Sequence, residues 1–179
     1  MTTPGNILKG ADRMMPGGDG YKRDIQSISF GTASGTTLAT LTAGRGFTMD
    51  ASAESVLYSF NLTSDYDESS DHAVLRVAYD SNTADSSNYI SFALSSVRRA
   101  SGVDAVFEED TTLTDIAAVV VNATGGGFLE FDLSGRGYKG GDQVSATVEA
   151  TMTGTASVDI YQAQLEIKST LVPYNVADR

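Results

Sequence analysis

The 179-residue sequence predicts an all-β fold: an antiparallel jelly-roll-like β-sandwich with an extended Gly/Pro-rich N-terminal arm. Three observations carry this. Short runs with period-2 alternation of apolar and polar residues recur along the chain, and such runs are half-buried strands. Clusters of Gly, Ser, Asn and Asp separate them, which is turn chemistry. No stretch sustains the apolar spacing of a long helix. Roughly eight to ten short strands follow from this spacing, the pattern of a sandwich, jelly roll or barrel.

Taken in order, residues 1–23 hold Pro4, Gly5, Gly10, Pro16, Gly17, Gly18 and Gly20, a density of breakers that excludes a regular element. Ile7, Leu8, Met14 and Met15 are nevertheless apolar, which suits either a strap packed on its own domain or an arm anchored on a neighbouring subunit. Lys9, Arg13, Lys22 and Arg23 make this stretch mildly basic on an otherwise acidic chain. The domain proper is expected over 24–172, with 173–179 as a tail after Pro173.

Asp24–Phe30 reads as a first strand, with Gly31–Gly35 as the turn after it. Thr36–Thr42 is a second, and Phe47–Asp50 extends it past Gly44-Arg45-Gly46. Ser55–Leu62 puts Val56, Tyr58, Phe60 and Leu62 on one face. His72–Tyr79 does the same with Ala73, Leu75, Val77 and Tyr79, and Tyr89–Leu94 with Ile90, Phe92 and Leu94. Thr111–Val121 is ambiguous: β-branched residues favour a strand, while Thr114–Ala118 also suits one helical turn. Glu108-Glu109-Asp110 reads as a solvated loop, and Gly125-Gly126-Gly127 as a break.

The last runs are the clearest. Phe128–Leu133 mixes aromatic and leucine positions with acids. Gln143–Thr151 alternates cleanly, with Val144, Ala146, Val148 and Ala150 on one face. Val158–Ile167 changes face part-way, because Ile160 falls on the otherwise polar set, so a bulge or a two-sided strand is expected there. Three such runs in succession read as a meander.

Composition excludes several classes of chemistry. There is no Cys, so disulfides, thiolate metal sites and Cys nucleophiles are out. The net charge of −11 opposes binding to phosphate backbones, so no nucleic-acid partner is expected. No apolar run has the length of a membrane span, and no leader-like apolar core opens the chain. His72 is the one histidine, no Gly-x-Ser-x-Gly elbow surrounds a serine, and the Gly-rich turns lack the Lys-Ser/Thr of a phosphate loop. No catalytic residue and no cofactor is therefore expected. For a metal the reading is none, with one weak Ca²⁺ candidate, Asp65, Asp67 and Asp71, in an acid-dense loop between two strands.

The closing run, from Leu133 through Tyr138-Lys139-Gly140-Gly141-Asp142-Gln143-Val144 to Val158–Ile167, resembles the last strands of jelly-roll accessory proteins of tailed-phage virions. With the Gly/Pro-rich arm, the pattern over 24–172 is similar to capsid decoration (cement) proteins. That resemblance implies a noncatalytic protein on the virion surface, made in the host cytoplasm. Its partners would be the major capsid protein lattice and itself, as a homotrimer in preference to a homodimer. Ile7, Leu8, Lys9, Arg13, Met14, Met15, Lys22 and Arg23 would then make the contacts. Two other readings stay open. One is a carbohydrate- or receptor-binding jelly-roll module of a tail fibre. The other is a Ca²⁺-stabilised secreted hydrolase domain.

Overall fold

The computed structural model describes residues 21–28, 30–34, 37–41, 44–101, 106–109 and 116–170. Among these, twelve strands and no helix are found. They are β1 (Tyr21–Ile28), β2 (Phe30–Ser34), β3 (Thr37–Leu41), β4 (Gly44–Met49), β5 (Ser55–Asn61) and β6 (Ala73–Ser81). The second half holds β7 (Tyr89–Ala100), β8 (Phe107–Glu109), β9 (Val119–Val121), β10 (Gly125–Asp132), β11 (Gln143–Thr153) and β12 (Val158–Thr170).

Two antiparallel sheets form a sandwich. The first runs β10-β6-β12-β4-β3, and β1 takes the remaining length of β12 beside β4. The second runs β2-β5-β11-β7, and β8 and β9 share the far edge of β7. The long strands β6, β12, β5, β11 and β7 are central because their alternation presents one continuous apolar side. Val56, Tyr58, Val144, Ala146, Val148, Ile90 and Phe92 face Leu75, Val77, Leu129, Phe131, Ile160, Leu165 and Ile167 across a closed core. Each such large side chain, taken fully out of water, stabilises the fold by about 1.5–3 kcal/mol before entropy is counted.

The structure departs from the sequence reading in several places. The last three runs are not a meander: β10 and β12 lie in the first sheet and β11 in the second. Each has one apolar side, and crossing the sandwich at the glycine turns buries all three, which a flat ribbon could not. Phe47–Asp50 does not extend the preceding strand, because β3 and β4 form a hairpin with Leu38 opposite Phe47. Gly31–Ser34 is strand β2, paired with β5, rather than a turn. Glu108 and Glu109 lie in strand β8, in register with Arg99 and Arg98 of β7, rather than in a loop. Finally, the first strand begins at Tyr21, so Lys22 and Arg23 belong to the sheet, opposite Ser169 and Lys168, and not to an arm. The helical turn considered at 114–118 falls partly outside the described residues; Ile116–Ala118 leads into β9 without helix.

The expected irregularity in the last strand is a bulge. Ile160 pairs with Tyr79 and Ala163 with Val77, so Tyr161 and Gln162 together oppose Ala78. The extra residue returns Ala163, Leu165 and Ile167 to the core side, which a regular strand starting from Ile160 would have turned outward.

One end of the sandwich is a knot of two loops. Asp71, at a left-handed φ of 42°, accepts from Tyr66 Oη at 2.9 Å and from the Gly137 amide at 2.6 Å. Leu62 N donates to Asp142 O and Gly141 N to Leu62 O, stitching the loops into one body.

Candidate functional site

The outer face of the first sheet combines an exposed aromatic side chain with a dense polar network. On β10, Leu129 and Phe131 point into the core, so Phe128, Glu130 and Asp132 point out. Phe128 is 53% exposed, a costly position for a phenyl ring unless something covers it. Its cross-strand partner is Ala78, and beyond Ala78 lies the β12 bulge with half-buried Tyr161 and exposed Gln162. Ala78 is small, so this row is a low floor between two aromatic residues.

The bulge is held from beneath. Tyr58, fully buried in the second sheet, donates its hydroxyl across the core to the Tyr161 carbonyl at 3.1 Å. Burial raises the Tyr58 phenol well above its ordinary range, so it is a donor at any working pH. The Tyr161 phenol is also raised, by burial first and then by Asp80 and Asp159, which places its ring beside those acids.

The next row is Glu130, Arg76 and Gln164. Arg76 Nε lies 2.8 Å from Glu130 Oε1 and its Nη1 lies 2.8 Å from Glu166 Oε2. Both contacts are off hydrogen-bond alignment, so they act as charge pairing. Glu166 is buried, and its other oxygen meets His72 Nε2 at 3.1 Å. This network fixes Arg76 and Glu130 in place without long flexible side chains waving in water.

Along β10 the polar track opens into a groove of about 300 Å³ lined by Ile116, Ala117, Glu130, Asp132, Ser134 and Arg136. The hydroxyl and amide of Ser134 hold Asp132 below the usual carboxylate range, with smaller help from His72 and Arg136. Asp132 is therefore an ionised acceptor. On the inward side of β10, Gly127 lets the Tyr79 ring lie against the backbone: a Cβ there would come within 2.7 Å of Tyr79 Oη. The triple glycine is thus the start of β10, not a break.

A second groove, of about 350 Å³, crosses the outer face of the other sheet between Leu57, Ser96, Arg98, Ser145 and Thr147. Its hydroxyls bond to one another, Ser59 with Ser145 at 2.9 Å and Ser96 with Thr147 at 3.1 Å, so they are less available to a ligand.

The sequence-predicted metal residues do not come together. Among the described residues, no group of three or more acidic or histidine side chains is arranged to hold a metal. Asp71 ties the two loops together, Asp67 is buried in a turn, and Asp65 is half-buried. Of the expected partner-binding residues, Ile7, Leu8, Lys9, Arg13, Met14 and Met15 lie outside the described residues. Sequence reading missed Phe128, although its place in register with Glu130 and Asp132, opposite to Leu129 and Phe131, was the available signal.

No protein-family model and no curated protein matches this chain. Solved structures of similar shape exist. A CBM36-1 domain of a multidomain xylanase from the hindgut metagenome of Trinervitermes trinervoides is 11% identical, with a TM-score of 0.44 over 80% of this chain and 96% of that one. The CBM22-1 xylan-binding domain from Paenibacillus barcinonensis Xyn10C is 12% identical, with a TM-score of 0.43 over 88% and 92%. The carbohydrate-binding module CBM6cm-2 from Cellvibrio mixtus lichenase 5A, in complex with cellotriose, is 13% identical, with a TM-score of 0.42 over 78% and 95%. Likeness at this level carries nothing about ligand or activity.

Proposed function

We propose that this chain is a noncatalytic binding module that takes an extended oligosaccharide along the outer face of β10. The observation that carries the reading is Phe128, a half-exposed ring at the head of a fixed polar track. Sugar rings have an apolar C–H face and a hydroxyl rim. Phe128 offers a surface to the first, while Glu130, Asp132, Ser134, Gln162 and Gln164 offer donors and acceptors to the second. Hydrogen bonds to ionised carboxylates are the stronger kind, and here the carboxylates are already oriented.

The same geometry argues for binding over hydrolysis. Acid-catalysed glycoside cleavage needs one carboxyl held protonated. Asp132 is shifted the other way, and Glu130 is charge-paired with Arg76. The capsid-decoration reading and its homotrimer stand as expectations of the sequence; of the contact residues they name, Ile7, Leu8, Lys9, Arg13, Met14 and Met15 lie outside the described residues.

Isothermal titration against soluble xylan, β-glucan and galactan oligosaccharides tests the proposal. At least one should bind with Kd of about 10 µM–1 mM, as a shallow site allows. Phe128→Ala should weaken it at least about tenfold, the worth of one lost stacking contact. Binding that ignores Phe128→Ala, or a full panel without heat, would overturn it.

A further inference from the structure

The loop knot contains a buried charge that no described side chain balances. Of the other buried acids, Glu54 accepts from the Asp50 and Ala51 amides, and Asp142 from the Lys139 amide. Asp159 accepts from Thr48 and Asn82, and Glu166 pairs with Arg76 and His72. Asp67, only 2% exposed, is different. Its Oδ1 takes the Ser69 amide at 3.1 Å and the Ser69 hydroxyl at 2.6 Å. Its Oδ2 is buried with no hydrogen-bond partner, and among the described residues no cationic side chain pairs with it.

Three more buried oxygens without partners belong to the same knot: Thr63 Oγ1, Ser70 Oγ and Ser169 Oγ. The backbone brings their residues together. Tyr66 N donates to Thr63 O at 3.0 Å, Ser70 N to Asp67 O at 3.2 Å, and Asp67 N to Lys168 O at 2.9 Å. Tyr66 also bridges to Ser169 itself. Burial acts to raise the Asp67 carboxyl, but the Ser69 and Ser70 donors outweigh it and hold it below the usual carboxylate range. Ser70 Oγ exerts its share without hydrogen-bond alignment. A buried anion without a counter-charge costs several kcal/mol, and a clean remedy is a cation.

We infer that this knot binds a hard cation of the Ca²⁺ class, with Asp67 Oδ2 as its anionic ligand and the Thr63, Ser70 and Ser169 hydroxyls around it. Oxygen-only ligands, one carboxylate among neutral donors, and room for carbonyl or water ligands suit such an ion and no soft metal. The ion would tie the loop after β5 to the end of β12, and so close one end of the sandwich. This inference is independent of the glycan reading.

Terbium is the probe, because Tyr66 stands next to the site and can sensitise its emission. The full-length protein should give saturable terbium luminescence that Ca²⁺ displaces. Saturating Ca²⁺ should raise its Tm by about 5–10 °C over the same protein in chelator. Asp67→Asn keeps the Ser69 bonds and removes the charge, so it should abolish both effects. Ser169→Ala and Ser70→Ala delete one neutral oxygen each; they should lower terbium affinity several-fold while leaving the Tm in chelator unchanged or higher. An unchanged Tm in Ca²⁺, or unchanged terbium affinity in both serine variants, would overturn the inference and leave buried water as the partner of Asp67.

Discussion

Adjacent glycines in the turn before β11 show how differently one residue type can be required. A Cβ at Gly140 would stand 2.9 Å from the Ser64 carbonyl oxygen and 3.1 Å from that of Thr63, both backbone atoms of the facing loop. Neither can rotate away. At Gly141 the opposite holds: φ is +88°, and nothing lies within 4 Å of the Cβ position. Its requirement is conformational, and Asn tolerates left-handed backbone better than most residues. Gly140→Ala should therefore destabilise by about 1–3 kcal/mol, since two loops must part. Gly141→Asn should cost less than about 1 kcal/mol. Urea midpoints of the two variants check this, and a Gly141→Asn loss equal to or larger than that of Gly140→Ala would contradict it.

At the scale of elements, the bulge in β12 connects core and surface. Tyr58 Oη reaches from the second sheet to the Tyr161 carbonyl, which the bulge turns inward, while Tyr161 and Gln162 flank Ala78 on the outer face. Tyr58→Phe keeps the ring packing and leaves that carbonyl without its donor, a loss of about 1–2 kcal/mol. The bulge should loosen with it. Chemical denaturation should show the lost stability, and the glycan titration should show weaker binding although residue 58 is buried; full affinity in a destabilised variant would separate bulge from site. Part of this was legible beforehand. The out-of-phase Ile160 announced an irregularity, because apolar residues on both sides of one strand need either two buried faces or a bulge. The inward sets of β5, β6, β7 and β11 were equally plain, since period-2 alternation leaves no choice of face. Sheet membership was not legible: β10, β11 and β12 alternate identically whether they pair with each other or cross the sandwich. The hairpin of β3 and β4 was hidden for a related reason, as Gly44-Arg45-Gly46 reads as an interruption although it begins a strand. The candidate site was harder still. Phe128 lies one position out of phase with Leu129 and Phe131, but its meaning depends on Ala78 and Gln162, far away in sequence. The Asp67 site was half-visible: the acids drew notice, while the hydroxyls completing it come from Thr63, Ser70 and Ser169, which no spacing rule connects.

For the whole molecule, the decisive contact is between the first and last described strands. Residues of β1 from Tyr21 to Ile28 pair one for one with Thr170 back to Ala163, covering the stretch of β12 that β4 does not reach. Without β1, that stretch, rich in buried Leu165, Ile167 and Ser169, would present an open edge. Unpaired edges of this length template association with other chains. The net charge of −11 opposes such association only at long range, and salt screens it. A chain beginning at Tyr21 should keep the sandwich, since every described pairing of β1 survives. A chain beginning at Phe30 should express as aggregate, or as a folded species that self-associates more as salt is raised. Size-exclusion chromatography with light scattering at low and high salt distinguishes these outcomes. If the Phe30 chain were monomeric and equally stable, closure of the first sheet by β1 would be dispensable. Its position along the outer edge of β12 would then owe nothing to protecting that edge.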